Sequence, residues 1–156
     1  ASMLLVFATQ APLLFVVCLP AQLGQVDAAP PLGALAIAGA CLSLFGTLFE
    51  TVGDLQLVRF KRNPENQGQV MDRGLWRYTR HPNYFGDACA WWGIWLVAAE
   101  TSTGLWSVVG PMLLTRTLAK WSGAPTIEGK MTRTKPGYAD YVARTSGFVP
   151  WFPKRA

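Results

Sequence analysis

The stretch RHPNYFGD, residues 80–87, sets an arginine, the only histidine, an asparagine and an aspartate just ahead of the apolar run ACAWWGIWLVAA. Charged and amide groups are costly near hydrocarbon, so their concentration here points to a polar task. Pro82 disfavours helical geometry at His81 but suits the first turn of a helix, which predicts a helix start at Pro82 or Asn83. Asn83 and Asp87 then share a face with Trp91. The free N–H groups of that start, with Arg80 and His81 beside them, suit an anion or a phosphate. A capped helix end, held to lipid headgroups by Arg, Tyr and Trp, meets the same pattern.

Two further clusters carry polar groups. In FETVGDLQLVRFKRN, Glu50 and Asp54 lie four residues apart, hence on one helical face, and Lys61 and Arg62 follow about two turns later. Carboxylates at such a place face a wet cavity or a partner, or are neutralised by those bases. In the tail, Glu128, Met131 and Thr132 fit a helical face, Pro136-Gly137 breaks it, and Tyr138 and Tyr141 recur at helical spacing. By pattern alone the tail is an interfacial helix followed by an anchored end, FVPWFP.

The elements that must position these groups are apolar helices. Of 156 residues, 51% are hydrophobic and 15% charged, whereas soluble domains carry about 25% charged residues. Apolar stretches run from Met3 to about Leu19, Leu32 to about Val58, Tyr84 to Ala99 and Leu105 to about Leu118. The first two approach or exceed the roughly 20 residues of a membrane crossing. The last two, joined by ETSTGL, read as a helical hairpin. The fold class expected is an all-α, polytopic transmembrane bundle of about four helices, with a basic loop and an interfacial C-terminal helix, in one domain over residues 1–156.

Basic residues orient it. None precedes Arg59; Arg59, Lys61, Arg62, Arg73, Arg77 and Arg80 fall between the second and third stretches, and the rest lie from Arg116 onward. By the positive-inside rule the 59–82 loop and the tail are cytoplasmic, and the links holding Asp27 and Glu100 lie outside. The localisation expected is therefore an integral membrane one, the inner membrane if the source is bacterial. The net charge of +5 is explained by anionic lipid beside these segments, with no nucleic-acid-binding pattern. Cys18, Cys41 and Cys89 are scattered in apolar stretches and read as small buried hydrophobes, so no metal site is expected. There is no GxGxxG or GxxxxGK[ST] motif, which leaves a membrane-embedded pocket for any nucleotide. The opening ASMLLVF lacks a basic n-region and reads as the interior of a longer protein.

The order FETVGDLQLVRFKRNPENQGQVMDRGLWRYTRHPNYFGDACAWWG, followed by PGYADYVARTSGFVPWFP, resembles the DUF1295 family of membrane proteins, allied to the steroid 5α-reductases and sterol reductases. More loosely, RHP-x-Y-x-G and a Glu ahead of a Tyr-rich tail are similar to isoprenylcysteine carboxyl methyltransferases, which use S-adenosylmethionine. The reductase resemblance implies NADPH held by C-terminal helices in a cavity open to the cytoplasm, and a hydride transferred to a C=C bond conjugated to a carbonyl in a lipid-soluble substrate. It implies that Asp54, Asn83 and Asp87 meet the cofactor, with Tyr84 and Gly86 as framework, Tyr138 closing over it, and Lys61 and Arg62 near phosphate. Arg80, His81, Glu128 and Tyr141 complete the cofactor-binding set, and Glu50 and Trp91 are assigned to the substrate. Glu128 is the residue that most favours methyl transfer. A non-catalytic, lipid-binding membrane protein is the third reading. In the steroid reductases the groups that polarise the carbonyl come from earlier helices, so no catalytic residue is assigned here.

Overall fold

The computed structural model describes residues 2–28, 30–121 and 124–154, and among these the regular structure is helical, with an isolated parallel bridge between Thr79 and Ser146. The helices are α1 (Ser2–Val17), α2 (Leu19–Leu23), α3 (Ala34–Arg62), α4 (Pro82–Ala98), α5 (Ser102–Leu105), α6 (Val109–Arg116), α7 (Ala124–Thr134) and α8 (Tyr138–Arg144). The chain divides into two compact units, Ala1–Leu44 with Ala88–Thr115 and Phe45–Asp87 with Arg116–Ala156.

The first unit contains α1, α2, the start of α3, most of α4, α5 and most of α6. Close backbone approach shapes it: a Cβ at Gly39 would meet Leu96 Cβ at 2.9 Å, and one at Gly110 would meet the Val17 carbonyl at 2.8 Å. The acids of the base-free links serve helix starts. Glu100 Oε1 accepts the Ala36 N–H at 2.9 Å, and Asp27 accepts from the Thr103 N–H at 2.8 Å and the Thr103 hydroxyl at 2.9 Å. Those bonds, the backbone one foremost, hold the Asp27 carboxyl below its ordinary range.

The four apolar stretches fare unequally. α3 is the one helix among the described residues both long and apolar enough to cross a membrane, and α1 is apolar but shorter. The Leu105–Leu118 stretch is not one helix. It is divided among α5, a 3-10 turn at Trp106–Val108, α6 and a π-type turn at Thr117–Trp121. At 1.5 Å per residue, the 8 residues of α6 extend only about 12 Å. Cys41 is exposed on α3, against the burial expected of it, while Cys18 and Cys89 are half-buried. Much of α3 and α1 presents large apolar side chains outward, Leu44, Phe45, Leu48 and Met3 among them.

The second unit carries the polar clusters. α3 runs on through Arg59, Lys61 and Arg62, bases suited to the negative end of its dipole. Asn63 then caps a short 3-10 turn over Pro64–Asn66 by accepting the Glu65 N–H at 3.1 Å. Another 3-10 turn, Gly74–Arg77, lies against α3, where the Leu75 N–H donates to Gln56 Oε1 and the Trp76 indole donates to the Gly53 carbonyl, both at 2.9 Å. Gly74 has φ +59°, a left-handed conformation that favours glycine, and a Cβ there would crowd the Gln56 carboxamide. α4 begins at Pro82, and Gly86 lets it press on α3: a Cβ there would stand 2.6 Å from Glu50 N and Gly46 O. The tail follows residues 78–80, with the Arg80 N–H on the Ser146 carbonyl, the Thr79 hydroxyl on the Phe148 carbonyl and the Trp151 N–H on the Tyr78 carbonyl, all at 2.9 Å.

Candidate functional site

Three segments of the second unit converge on a cavity of about 170 Å³. The end of α3 supplies Leu57 and Lys61, spaced i,i+4 on one face. The turn, the link that follows it and the first residues of α4 supply Trp76, Arg80, His81, Asn83 and Tyr84; α7 and α8 supply Ile127, Met131, Tyr138 and Tyr141. Ile127 and Met131 are again i,i+4, and Gly137, with φ +78°, turns the chain so that α8 starts at Tyr138. Apolar and aromatic side chains dominate the lining, as in most small-molecule sites.

Beside the cavity, Glu128 joins α7 to the start of α4. Its Oε1 accepts from Arg80 Nε and from His81 Nε2, both at 2.8 Å, and its Oε2 accepts from Arg80 Nη2 at 3.2 Å. Arg80 Nη1 also donates to the carbonyls of Val142, at 3.1 Å, and Thr145, at 2.6 Å. An ionised carboxylate only accepts, so His81 carries its proton on Nε2. Burial foremost holds His81 below its ordinary value, against the opposing pull of Glu128. Burial raises the Glu128 carboxyl, but the hydrogen bonds and charges of Arg80 and His81 outweigh it and the net shift is downward. The cluster at neutral pH is one cation, one anion and a neutral imidazole, which stacks on Tyr84 with centroids 5.3 Å apart.

Arg80 and His81 are thus committed to Glu128 rather than left for an anion. Four lining groups hold no side-chain hydrogen bond among the described residues: the Lys61 ammonium, the Asn83 carboxamide and the hydroxyls of Tyr84 and Tyr138. Tyr138 is buried, chiefly by which its hydroxyl is pushed up to about 12, so it stays protonated as a donor. The Tyr141 hydroxyl is occupied, donating to the Trp76 carbonyl at 2.5 Å, and burial raises it too.

Of the residues expected in a site, Lys61, Arg80, His81, Asn83, Tyr84, Tyr138 and Tyr141 line this cavity and Glu128 holds two of them. Arg62 lies on an adjoining open groove of about 460 Å³ that also includes Lys61, Asn66 and Lys135. Asp54 is exposed and outside the lining. It and Asp87 are within electrostatic reach of Glu50, and Asp54 is also within reach of Tyr84 of the lining, so these acids stand beside the cavity without lining it. Trp91 belongs to the other unit. The lining also contains Leu57, Val70, Met71, Trp76 and Ile127, which sequence reasoning did not select. The i,i+4 pairs Leu57–Lys61 and Ile127–Met131 were the available signal. Among the described residues no group of His, Cys, Asp and Glu is arranged to hold a metal.

The model of a family described as a protein of unknown function, DUF1295, matches residues 1–145. The chain belongs to the DUF1295 family. No curated protein and no solved structure matches it. The matched range takes in the whole cavity lining, so the site of this DUF1295 protein lies inside the family region.

Proposed function

We propose that this DUF1295 protein is a membrane-embedded, NADPH-dependent reductase acting on a C=C bond conjugated to a carbonyl in a lipid-soluble substrate. In this reading the chain is polytopic, with α1, α3, α4 and the α5–α6 path in the bilayer, and the 59–82 loop and tail are cytoplasmic. The outward apolar faces of α1 and α3 favour a lipid surround, since soluble monomers rarely expose such continuous area.

The observation that carries the reading is the set of unengaged polar groups on an apolar, aromatic cavity, Asn83, Tyr138 and Lys61 foremost among them. A cavity of about 170 Å³ falls short of the roughly 300–1,000 Å³ of a complete ligand pocket. It suits one ring of a dinucleotide, and Lys61 joins it to the basic groove, where phosphates find Lys61 and Arg62. Asn83 offers both a donor and an acceptor, as recognition of a carboxamide requires, and Tyr138 offers a donor. NADPH, when bound, supplies the hydride. The protein's part is to orient one ring, balance phosphate charge and exclude water with the aromatic wall. Glu128, the residue that argued for S-adenosylmethionine, is occupied by Arg80 and His81 and is a poor partner for an amino group.

Titration of the detergent-purified protein with NADPH, NADH and S-adenosylmethionine tests this. Saturable NADPH binding is expected, weakened about tenfold or more by Lys61→Ala, since one lost charge-assisted bond is worth about 1.5–3 kcal/mol, and severalfold by Asn83→Ala, since a neutral bond is worth about 0.5–1.5 kcal/mol. S-adenosylmethionine binding without NADPH binding, or NADPH binding indifferent to both substitutions, overturns it.

A further inference from the structure

A second, larger cleft of about 840 Å³ lies apart from the cavity lining, walled by the 72–77 turn, the end of α8 and the tail. Arg73, Arg77, Arg144 and Lys154 line it, with Asp72 as its one acid. Asp72 is spoken for, accepting from Arg144 Nη2 at 2.6 Å. Arg73 stands 5.9 Å over the Phe60 ring, while the Arg77 and Lys154 side chains make no hydrogen bond or ion pair among the described residues. Four bases against one paired acid leave a concentrated positive field.

The rim is the opposite in character. Trp151 and Phe152 are 71% and 76% exposed, and Val149 is exposed beside them. They are held outward: the Trp151 N–H donates to the Tyr78 carbonyl, the Lys154 N–H to the Arg144 carbonyl at 2.9 Å, and the Phe152 ring meets Tyr78 edge-on at 6.2 Å. The backbone of the aromatic tip is thus fixed next to the basic cleft. An amphipathic rim of Trp and Phe beside arginine and lysine suits the membrane–water boundary, where rings enter the acyl border and bases meet phosphate.

We propose that this cleft is a binding site for the phosphate-bearing headgroup of an anionic phospholipid, with Arg77 and Lys154 as its ligands and Trp151 and Phe152 inserted at the acyl border. A soluble phosphate would engage the bases but would gain nothing from the rim, and charge complementarity excludes a zwitterionic headgroup as the preferred occupant. This assignment rests on the membrane placement proposed above but not on the nucleotide reading, because the cleft shares no lining residue with the cavity.

The test uses the full chain in dodecyl maltoside micelles doped with brominated phosphatidylglycerol or brominated phosphatidylcholine, reading the component of tryptophan quenching that Trp151→Phe removes. Saturable quenching by the anionic lipid is expected, at least fivefold stronger than by the zwitterionic one. Each basic residue near a lipid surface contributes about a fivefold factor, so Arg77→Gln with Lys154→Gln should weaken it at least tenfold. Arg77→Lys with Lys154→Arg should retain binding, which separates lost charge from lost folding. Equal quenching by both lipids, or no change in the glutamine pair, overturns the proposal. Displacement of the anionic lipid by inorganic pyrophosphate at equal phosphate concentration would also overturn it, in favour of a soluble-phosphate site.

Discussion

Replacing Glu128 with alanine removes the acceptor shared by Arg80 and His81. Side-chain exposures of 14% for Arg80, 22% for Glu128 and 4% for His81 place the pair between two regimes. Breaking a fully buried pair costs about 3–5 kcal/mol, whereas a surface pair contributes about 0–1. Three charge-assisted contacts are lost, but Arg80 keeps the Val142 and Thr145 carbonyls, so its guanidinium is not stranded. A loss of about 2–3 kcal/mol follows. At roughly 2–4 °C per kcal/mol for a chain of this size, the apparent Tm should fall by about 4–12 °C.

Glu128→Gln keeps one carbonyl oxygen at nearly the same place and should lose about 1 kcal/mol. The assay is thermal unfolding in detergent at one fixed scan rate, since membrane proteins often unfold irreversibly and apparent values depend on the rate. The expected order is wild type above Gln above Ala. An alanine variant within about 1 °C of wild type would mean that the cluster does not hold α7 to the start of α4. A glutamine variant worse than alanine would mean that the carboxylate acts by some route other than acceptance.

Acidification should weaken the fold in two windows. His81 is held below its ordinary value of 6.5, so the unfolded chain takes that proton first and stability declines as the pH falls below 6.5 toward the lower folded value. Glu128 is held below 4.5; its contribution is complete above 4.5 and lost as the pH falls through the folded value, and Glu128→Gln should abolish this lower window in Tm profiles. A Tm that rises between pH 6.5 and 5 would contradict the assignment of a buried neutral imidazole. Tyr141→Phe removes the hydroxyl that meets the Trp76 carbonyl and should cost about 1–2 kcal/mol in the same assay. Gly86→Val drives a side chain into the α3 backbone at Gly46 and Glu50; a loss of about 3 kcal/mol should show as a collapsed monodisperse peak on size exclusion.

Local grammar was readable where one segment decides its own conformation. Pro82 starts α4 because its fixed φ suits a first helical turn and its missing N–H is not needed there. Pro136-Gly137 separates α7 from α8 because Gly137 takes a left-handed conformation. The partner of Arg80 and His81 was not readable, because Glu128 lies 48 and 47 residues away and nothing local predicts that pairing. Their neighbourhood at a helix start suggested an anion site, and tertiary pairing supplied the anion from within the chain. The Leu105–Leu118 stretch misled in another way. Hydropathy sums the side chains but does not register that Thr101 caps α5, or that the helical path changes pitch at Trp106–Val108 and again at Thr117–Trp121.

Six cations of the second unit that border its cavity, groove and cleft fall into two kinds, and the distinction bears on ligand class. Arg80 and Arg144 are neutralised by Glu128 and Asp72 and act as struts between segments distant in sequence. Lys61 and Arg62 at the groove, and Arg77 and Lys154 at the cleft, have no such acid among the described residues. A unit whose bases served only to fasten its own helices would pair them internally, since an unpaired cation beside other cations raises the folded state's self-repulsion. Retaining free bases in two concave places, one opening on an aromatic cavity and one rimmed by exposed aromatics, favours ligands that bring negative charge joined to an apolar or aromatic body. A dinucleotide and an anionic lipid both answer that description; S-adenosylmethionine answers it less well, because its sulfonium and ammonium groups outweigh its single carboxylate.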